Sequence, residues 1–309
     1  MSDDIIRNSL YSAQQCGLNV IVCPKSSIDL YTTFNCGQTF RWRTLNTEKS
    51  RFCGTYKGHF LEISTKNGEI IFHNTNLTDF NSVWADFFAL NEDYCAIKSQ
   101  ISQDKIIKKA IETHPGIRVL RQDKFETIIT FIISANNNIR RITKIVEDLC
   151  RNFGECIAHF NGKPIYAFPT ADVLANLTEA DLAPIRAGYR AKYIIETAKI
   201  LSCCSKCSEK SQKTIDSTKK AGQTLPNLKN LSSLDDFALR KSLQTLPGVG
   251  PKVADCIMLF AFNRLNICPE DVWMKRILAE HFGGKLPDCC AGYEGIAQQF
   301  LFHYFRNLG

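Results

Sequence analysis

The chain has 309 residues, 44% of them hydrophobic, which is enough to bury a sizeable core and build two or three subdomains of an ordinary folded protein. Its 38 lysines and arginines outnumber 31 aspartates and glutamates, giving a net charge of +7 that favours a polyanionic partner without requiring one. The 14 cysteines, at this length and with no signal peptide, are expected as reduced thiols, and no apolar run reaches membrane-spanning length. The acidic start, Met1 to Asp4, is unlike a mitochondrial presequence, so nucleus or cytosol is the expected location.

Residues 17 to 74 read as strands, with β-branched and aromatic runs punctuated by turns. The clearest pair is Phe60 to Ser64 and Glu69 to His73, joined through Asn67-Gly68, two residues that tolerate positive φ in a tight hairpin. Phe34-Asn-Cys-Gly37-Gln38-Thr-Phe-Arg-Trp42 reads either as a strand with a glycine bulge or as a place where backbone closely approaches a ligand. From Leu77 the pattern turns helical, with Trp84, Phe87 and Phe88 on one face. The loop His114-Pro-Gly116 is expected to close a first domain, leaving 117–309 as a second, mostly helical one.

Asp123-Lys-Phe-Glu126 opens a strong helix in capping-box fashion, because Phe125, Ile128, Ile129, Ile132 and Ile133 recur at helical spacing. It runs into Asn136-Asn137-Asn138-Ile-Arg-Arg141, where the asparagines are expected as cap and turn residues competing for local backbone groups. Capping signals follow at Thr170 and at Thr178 to Asp181. Gly188-Tyr189-Arg190 then reads as a surface helix cap, or as an aromatic between cations that suits insertion beside unstacked bases. The stretch 202–230, rich in Ser, Lys, Cys and Thr, reads as a mobile loop. Its Cys203, Cys204 and Cys207 lack a clear fourth ligand, which favours free thiols over zinc, and no metal or cofactor is expected elsewhere.

Ser233 to Asp236 should cap the next helix, with Leu239, Leu243 and Leu246 on one face. Pro247-Gly-Val-Gly250 cannot continue a helix, so it is expected as a short hairpin between two of them. The second helix begins at Pro251, a favoured first position. Bare N–H groups at such a helix N-terminus bind a phosphate without sequence preference. Lys252 falls in the first turn, where the helix dipole disfavours a positive charge, and the apolar run to Phe262 disfavours it further by burial. A lysine held partly neutral is a nucleophile able to form a Schiff base. Cys256 lies one turn on, over the same face. Asp271, at the expected start of the following helix, could stabilise a cationic transition state opposite the lysine. The last helical stretch holds Ala297-Gln298-Gln-Phe-Leu-Phe302, whose aromatics would ordinarily be core.

The run Leu-Pro-Gly-Val-Gly-Pro-Lys252-Val-Ala-Asp-Cys256 followed by Pro-Glu-Asp271-Val resembles the signature of helix-hairpin-helix base-excision DNA glycosylases, and its lysine resembles the bifunctional branch. The wider pattern, over roughly 30 to 305, is similar to the eukaryotic 8-oxoguanine DNA glycosylases. The resemblance implies an α+β fold: an antiparallel-sheet domain with helices at 1–116, then a mostly helical glycosylase domain at 117–309. It further implies a monomer acting on double-stranded DNA that carries an oxidised guanine, in the nucleus, with no membrane association. Lys252 would be the nucleophile and Asp271 its electrostatic partner. The Gly37 carbonyl would accept from N7–H of the oxidised base, and normal guanine, which has an acceptor there, would be refused. Gln298 would grip the base edge, with Phe302 and Cys256 on its two faces. Asn136 would pair with the orphaned cytosine, helped by Arg141 and Arg190, and Tyr189 would be the wedge. Gly248, Gly250 and Val253 would hold phosphate, with Trp273 contributing nearby.

Two features depart from that pattern. Trp273 stands where the family usually has histidine, and the iron–sulfur cysteine cluster of endonuclease III relatives is missing after Asp271. Two other readings stay open on sequence alone: a helix-hairpin-helix glycosylase for another damaged base, and a non-catalytic DNA-binding module in which Lys252 is merely another cation.

Overall fold

A computed structural model describes residues 5–206 and 228–307. Most of the 202–230 segment, including Cys207, lies outside the described residues, as do the side chains of Cys203 and Cys204. The chain forms two compact units, Met1–Gln122 together with Asn263–Gly309, and Asp123–Phe262. The C-terminal helices Val272–Phe282 and Glu294–Arg306 therefore belong to the unit that carries the sheet, an arrangement that one linear boundary near 116 does not express.

Among the described residues the sheet unit contains seven antiparallel strands: β1 (Ile5–Arg7), β2 (Tyr11–Cys16), β3 (Asn19–Pro24), β4 (Arg43–Thr44), β5 (Arg51–Tyr56), β6 (His59–Lys66) and β7 (Glu69–His73). Their spatial order is β1-β2-β3-β7-β6-β5-β4. The hairpin at Asn67-Gly68 forms as its sequence dictates: φ is 53° and 82° at the two residues and Lys66 pairs with Glu69 across the turn. β1 and β2 precede the first expected strand and extend the sheet on that side.

Because β3 pairs with β7 while β4 lies at the far edge, the connection between them crosses the unit, and it carries the glycine motif. Phe34 lies in the last turn of the Leu30–Asn35 helix, so the expected strand over 34–42 is replaced by a helix end and a bend. Trp42 then packs into the core, stacked on Phe34 at 4.3 Å between ring centroids and on Phe87 at 5.5 Å. Gly54 of β5 admits it, since a Cβ there would stand 2.4 Å from the indole. Such aromatic pairs each contribute about 0.5–1.5 kcal/mol beyond area burial. Trp84, Phe87 and Phe88 are buried in the same cluster, as their spacing requires.

The second unit is built on the Lys124–Ser134 helix, capped by Asp123, whose side chain accepts from the Glu126 N–H at 3.0 Å. Every residue from Thr127 to Ile133 is buried, and Phe131 stacks on Phe260 of the Pro251–Phe262 helix at 5.5 Å. A two-stranded hairpin, Cys156–Phe160 with Lys163–Tyr166, interrupts the helices and turns on Asn161-Gly162. The helix Asp236–Leu243 is capped by Asp235, not Ser233; the carboxylate accepts from the Ala238 N–H at 2.8 Å, while the Ser233 hydroxyl donates to the Asn230 carbonyl. Among the described residues, no helix is long and apolar enough to cross a membrane.

Candidate functional site

In the helical unit, the turn 247–250 joins Asp236–Leu243 to Pro251–Phe262 as a helical hairpin. Asp255 of the second helix is paired with Arg240 of the first at 2.8 Å, which ties the two together. The turn is also pinned to the Arg190–Lys206 helix: Thr197 Oγ1 donates to the Pro247 carbonyl at 3.2 Å, and Gly248 lies against Tyr193. Gly248 has φ +80°, and a Cβ there would stand 2.8 Å from the tyrosine ring, so the fold itself demands glycine. Gly250 is different. Its φ is not left-handed and a Cβ would meet nothing within 4 Å, so the bare backbone faces open space. The first intrahelical bond runs from the Ala254 N–H to the Gly250 carbonyl at 2.9 Å. This leaves the N–H groups of Lys252 and Val253 at the open helix end, where an anion is favoured.

Lys252 itself is half-buried, with Nζ 5.7 Å from the centroid of the Phe131 ring. Cys256, one turn later, is buried.

The asparagine loop of the same unit divides its work. Asn138 caps the Ile139–Phe153 helix by accepting from the Arg141 N–H at 2.9 Å, and the Asn137 amide donates to the Ile133 carbonyl at 3.1 Å. These two are the cap and turn residues that local chemistry leads one to expect. Asn136 is the one left over: it is exposed, with φ +49°. Beneath it Arg190 is 4% exposed, its guanidinium donating to the Ala135 carbonyl and, at 3.1 Å, to that of Asn136. Arg190 thus holds the loop from below, a part that its sequence context did not reveal. Tyr189 stands out at 55% exposure, flanked by the Arg190 guanidinium at 4.5 Å and the Tyr193 ring at 5.9 Å. Arg141 is exposed and donates to the Arg186 carbonyl at 3.4 Å.

In the sheet unit, Gly37 follows the Leu30–Asn35 helix with φ +86°, a conformation that glycine adopts at little cost. Its neighbour Gln38 is fully buried and acts as a clamp. The amide donates to the carbonyls of Thr33 and Arg118 at 2.9 and 2.6 Å, and its oxygen accepts from the Leu120 N–H at 2.8 Å. Sequence reading passed over Gln38 because its partners lie up to 82 residues away. Burial pushes the Cys36 thiol up to about 12, so the sulfur beside Gly37 is an uncharged packing atom.

Asp271 is the N-cap of Val272–Phe282, its carboxylate accepting from the Met274 N–H at 2.8 Å, which fixes its rotamer. Val272 and Trp273 are both exposed beyond it, and the Arg276 guanidinium covers the indole at 4.7 Å. Gln298 is buried on the Glu294–Arg306 helix, its oxygen accepting from the Gln299 amide at 2.7 Å, and Phe302 one turn later is half-buried. Among the described residues, no group of three or more His, Cys, Asp or Glu side chains is placed to hold a metal ion.

Residues 20–128 match the model of the 8-oxoguanine DNA glycosylase N-terminal domain, and residues 129–288 match that of the HhH-GPD superfamily base excision DNA repair proteins. The N-glycosylase/DNA lyase of Saccharomyces cerevisiae is 41% identical over 178 residues, which span 57% of this chain and 44% of that protein. N-glycosylase/DNA lyase OGG1 of Arabidopsis thaliana is 30% identical over 295 residues, 92% of this chain and 75% of that one. The crystal structure of Clostridium acetobutylicum 8-oxoguanine glycosylase/lyase, in complex with dsDNA containing cytosine opposite to 8-oxoG, has a TM-score of 0.81 at 32% identity and covers 100% of this chain and 99% of that chain. A helical hairpin with Lys252 in the first turn of its second helix and a glycine motif beside a buried glutamine, matched by two family models in tandem, lead to one assignment: the chain belongs to the HhH-GPD superfamily of base excision DNA repair proteins and, within it, to the 8-oxoguanine DNA glycosylases.

Proposed function

We propose that this chain is a bifunctional DNA glycosylase and AP lyase that excises 8-oxo-7,8-dihydroguanine opposite cytosine from duplex DNA. The observation that carries the reading is Lys252, half-buried in the first turn of the hairpin's second helix with its amine against the Phe131 ring. The amine attacks C1′ of the damaged nucleotide, the N-glycosidic bond breaks, and the base leaves with the bonding electrons. Asp271, held in one rotamer by the helix it caps, stabilises the oxocarbenium-like charge. The C1′–O4′ bond of the lysine-linked sugar then breaks, the nitrogen's proton passing to O4′, and the open-chain Schiff base acidifies the 2′ position and permits β-elimination of the 3′ phosphate.

The base must first leave the stack, at a cost of a few kcal/mol. Tyr189 wedges the gap, and Asn136, presented by the loop that Arg190 supports, pairs with the estranged cytosine, with Arg141 beside it. Gln298, Phe302 and Cys256 are the base-contacting residues, and the Gly37 carbonyl accepts the N7–H of the extruded base. Gly248, Gly250 and Val253 receive a backbone phosphate, and Trp273 with its stacked Arg276 lies against the duplex. The enzyme works as a monomer in the nucleus.

Borohydride trapping on duplexes with 8-oxoguanine opposite each of the four bases tests the proposal. Wild-type protein should form a covalent adduct fastest opposite cytosine. Lys252→Gln should abolish both cleavage and trapping while retaining DNA binding; a variant that still cleaves at the wild-type rate removes Lys252 from the chemistry.

A further inference from the structure

The helical unit carries a groove of about 710 Å³, of whose cations only Arg141 has a part in the reading above. Arg140, Arg141 and Lys144 of the Ile139–Phe153 helix line it together with Arg186, over a buried floor that includes Ile185. One acid, Asp148, lies among these cations, and it accepts from Lys144 at 2.8 Å and from Arg151 at 3.2 Å. Among the described residues, no ion pair takes up Arg140, Arg141 or Arg186, and all three are exposed. Three exposed guanidiniums around one concavity set up a local positive potential that favours an anion.

The backbone at Arg186 adds an independent observation. It closes the short 183–185 turn with φ +56° and ψ +38°, the left-handed region that glycine or asparagine occupies at least cost. The Arg186 carbonyl also accepts from Arg141, which joins the two walls of the groove. Glycine or asparagine would hold this turn at least cost, and the arginine that occupies it lines the groove.

The lining distinguishes the ligand. Small-molecule pockets are mostly apolar with a few polar groups, whereas this one is rimmed by guanidiniums whose forked donors match phosphate oxygens. Asn138 also lines it, two residues beyond Asn136 on the same loop. We propose that the groove binds consecutive phosphates of the DNA strand opposite the lesion, continuing past the nucleotide that Asn136 faces, with Arg140 and Arg186 as its unassigned phosphate ligands. This rests on the reading of Asn136 as the residue that meets the estranged base.

The test is a phosphate-neutralisation scan. Lesion duplexes carry one methylphosphonate at a time along the opposite strand, and binding is measured between 50 and 200 mM salt for wild type, Arg186→Gly and Arg140→Ser. Wild type should lose affinity at one or two adjacent positions, and each variant should lose roughly fivefold on the unmodified duplex, with a salt slope smaller by about 0.9. At the sensitive positions the variants should be indifferent to methylphosphonate. Arg186→Gly should melt no lower than wild type, because glycine relieves the backbone, so weakened binding cannot be put down to misfolding. Wild-type binding and excision with no position that distinguishes the variants overturns the groove alone. Competition by inorganic phosphate at millimolar concentration, with no positional effect, makes it a small-anion site and also overturns it. Failure of the wild-type chain to bind or excise at all refutes the underlying glycosylase reading instead.

Discussion

Two arginines of the sheet unit and three of the helical unit have opposite surroundings. In the sheet unit Arg118 and Arg121 are closed. Arg118 is 2% exposed, donates to the carbonyls of Ala89 and Ser26 at 3.0 and 3.1 Å, and stacks on Tyr94 at 4.1 Å. Arg121 is paired with both Asp86 and Glu92. In the helical unit Arg140, Arg141 and Arg186 stand exposed around a groove. A closed guanidinium works for the fold, since removing it strands carbonyls that water cannot reach. An open cluster of like charges adds little to the fold and is free to meet an anionic ligand. Arg190 combines the two cases, being buried in order to present an exposed neighbour.

The largest expected effect on the closed side is at Arg118. Arg118→Ala should destabilise the protein by about 3–5 kcal/mol in urea unfolding, because the carbonyls of Ala89 and Ser26 lose their donors inside the core. A loss below about 1 kcal/mol would erase the distinction between closed and open cations.

Next comes the histidine pair of the sheet unit, another closed group. His303 is 7% exposed and its ring meets that of His114 edge-on at 4.5 Å. Burial, followed by the neighbouring His114, pushes His303 down to about 4, with Arg306 acting the same way and Asp29 opposing. The unfolded chain therefore binds a proton near pH 6.5 that the folded chain refuses until about pH 4. Stability from this group is full above about pH 6.5, falls as pH drops toward 4, and amounts to as much as about 3 kcal/mol. Unfolding curves at pH 7, 5.5 and 4 should show this decline, and His303→Leu should flatten it; parallel profiles for the two proteins would contradict the assignment.

The smallest effects separate the two hairpin glycines. Gly248→Ala should cost about 1–3 kcal/mol, since it strains a left-handed residue against Tyr193. Gly250→Ala should change stability by less than about 0.5 kcal/mol and yet weaken duplex binding, because its Cβ projects into open space where a phosphate would approach. Equal stability losses at both positions would mean that both serve the turn.

Some of this was legible in advance because the chemistry is local. The Asn67-Gly68 hairpin, the Asp123 cap, the Pro247–Gly250 turn and the capping role of Asn138 all depend on residues within a few positions of each other. The same pair at Asn161-Gly162 turns a second hairpin that went unread, since its strands, with Pro164 inside one of them, lack the alternating pattern that marked the first. Strands β1 and β2 were likewise unread ahead of residue 17.

Sequence alone determined the family signature and the helix that carries Lys252, because dipole, cap and glycine turn act over one or two helical turns. Only the tertiary structure decided that Gln38 clamps residues 118–120, that Arg190 supports the Asn136 loop, that Asp235 and not Ser233 caps its helix, and that Arg140 and Arg186 share a groove. Except for the one-turn choice of cap, those partners lie about 45 to 80 residues apart, and a contact at that separation exists only after the chain has closed its loops, where propensity and spacing carry no information.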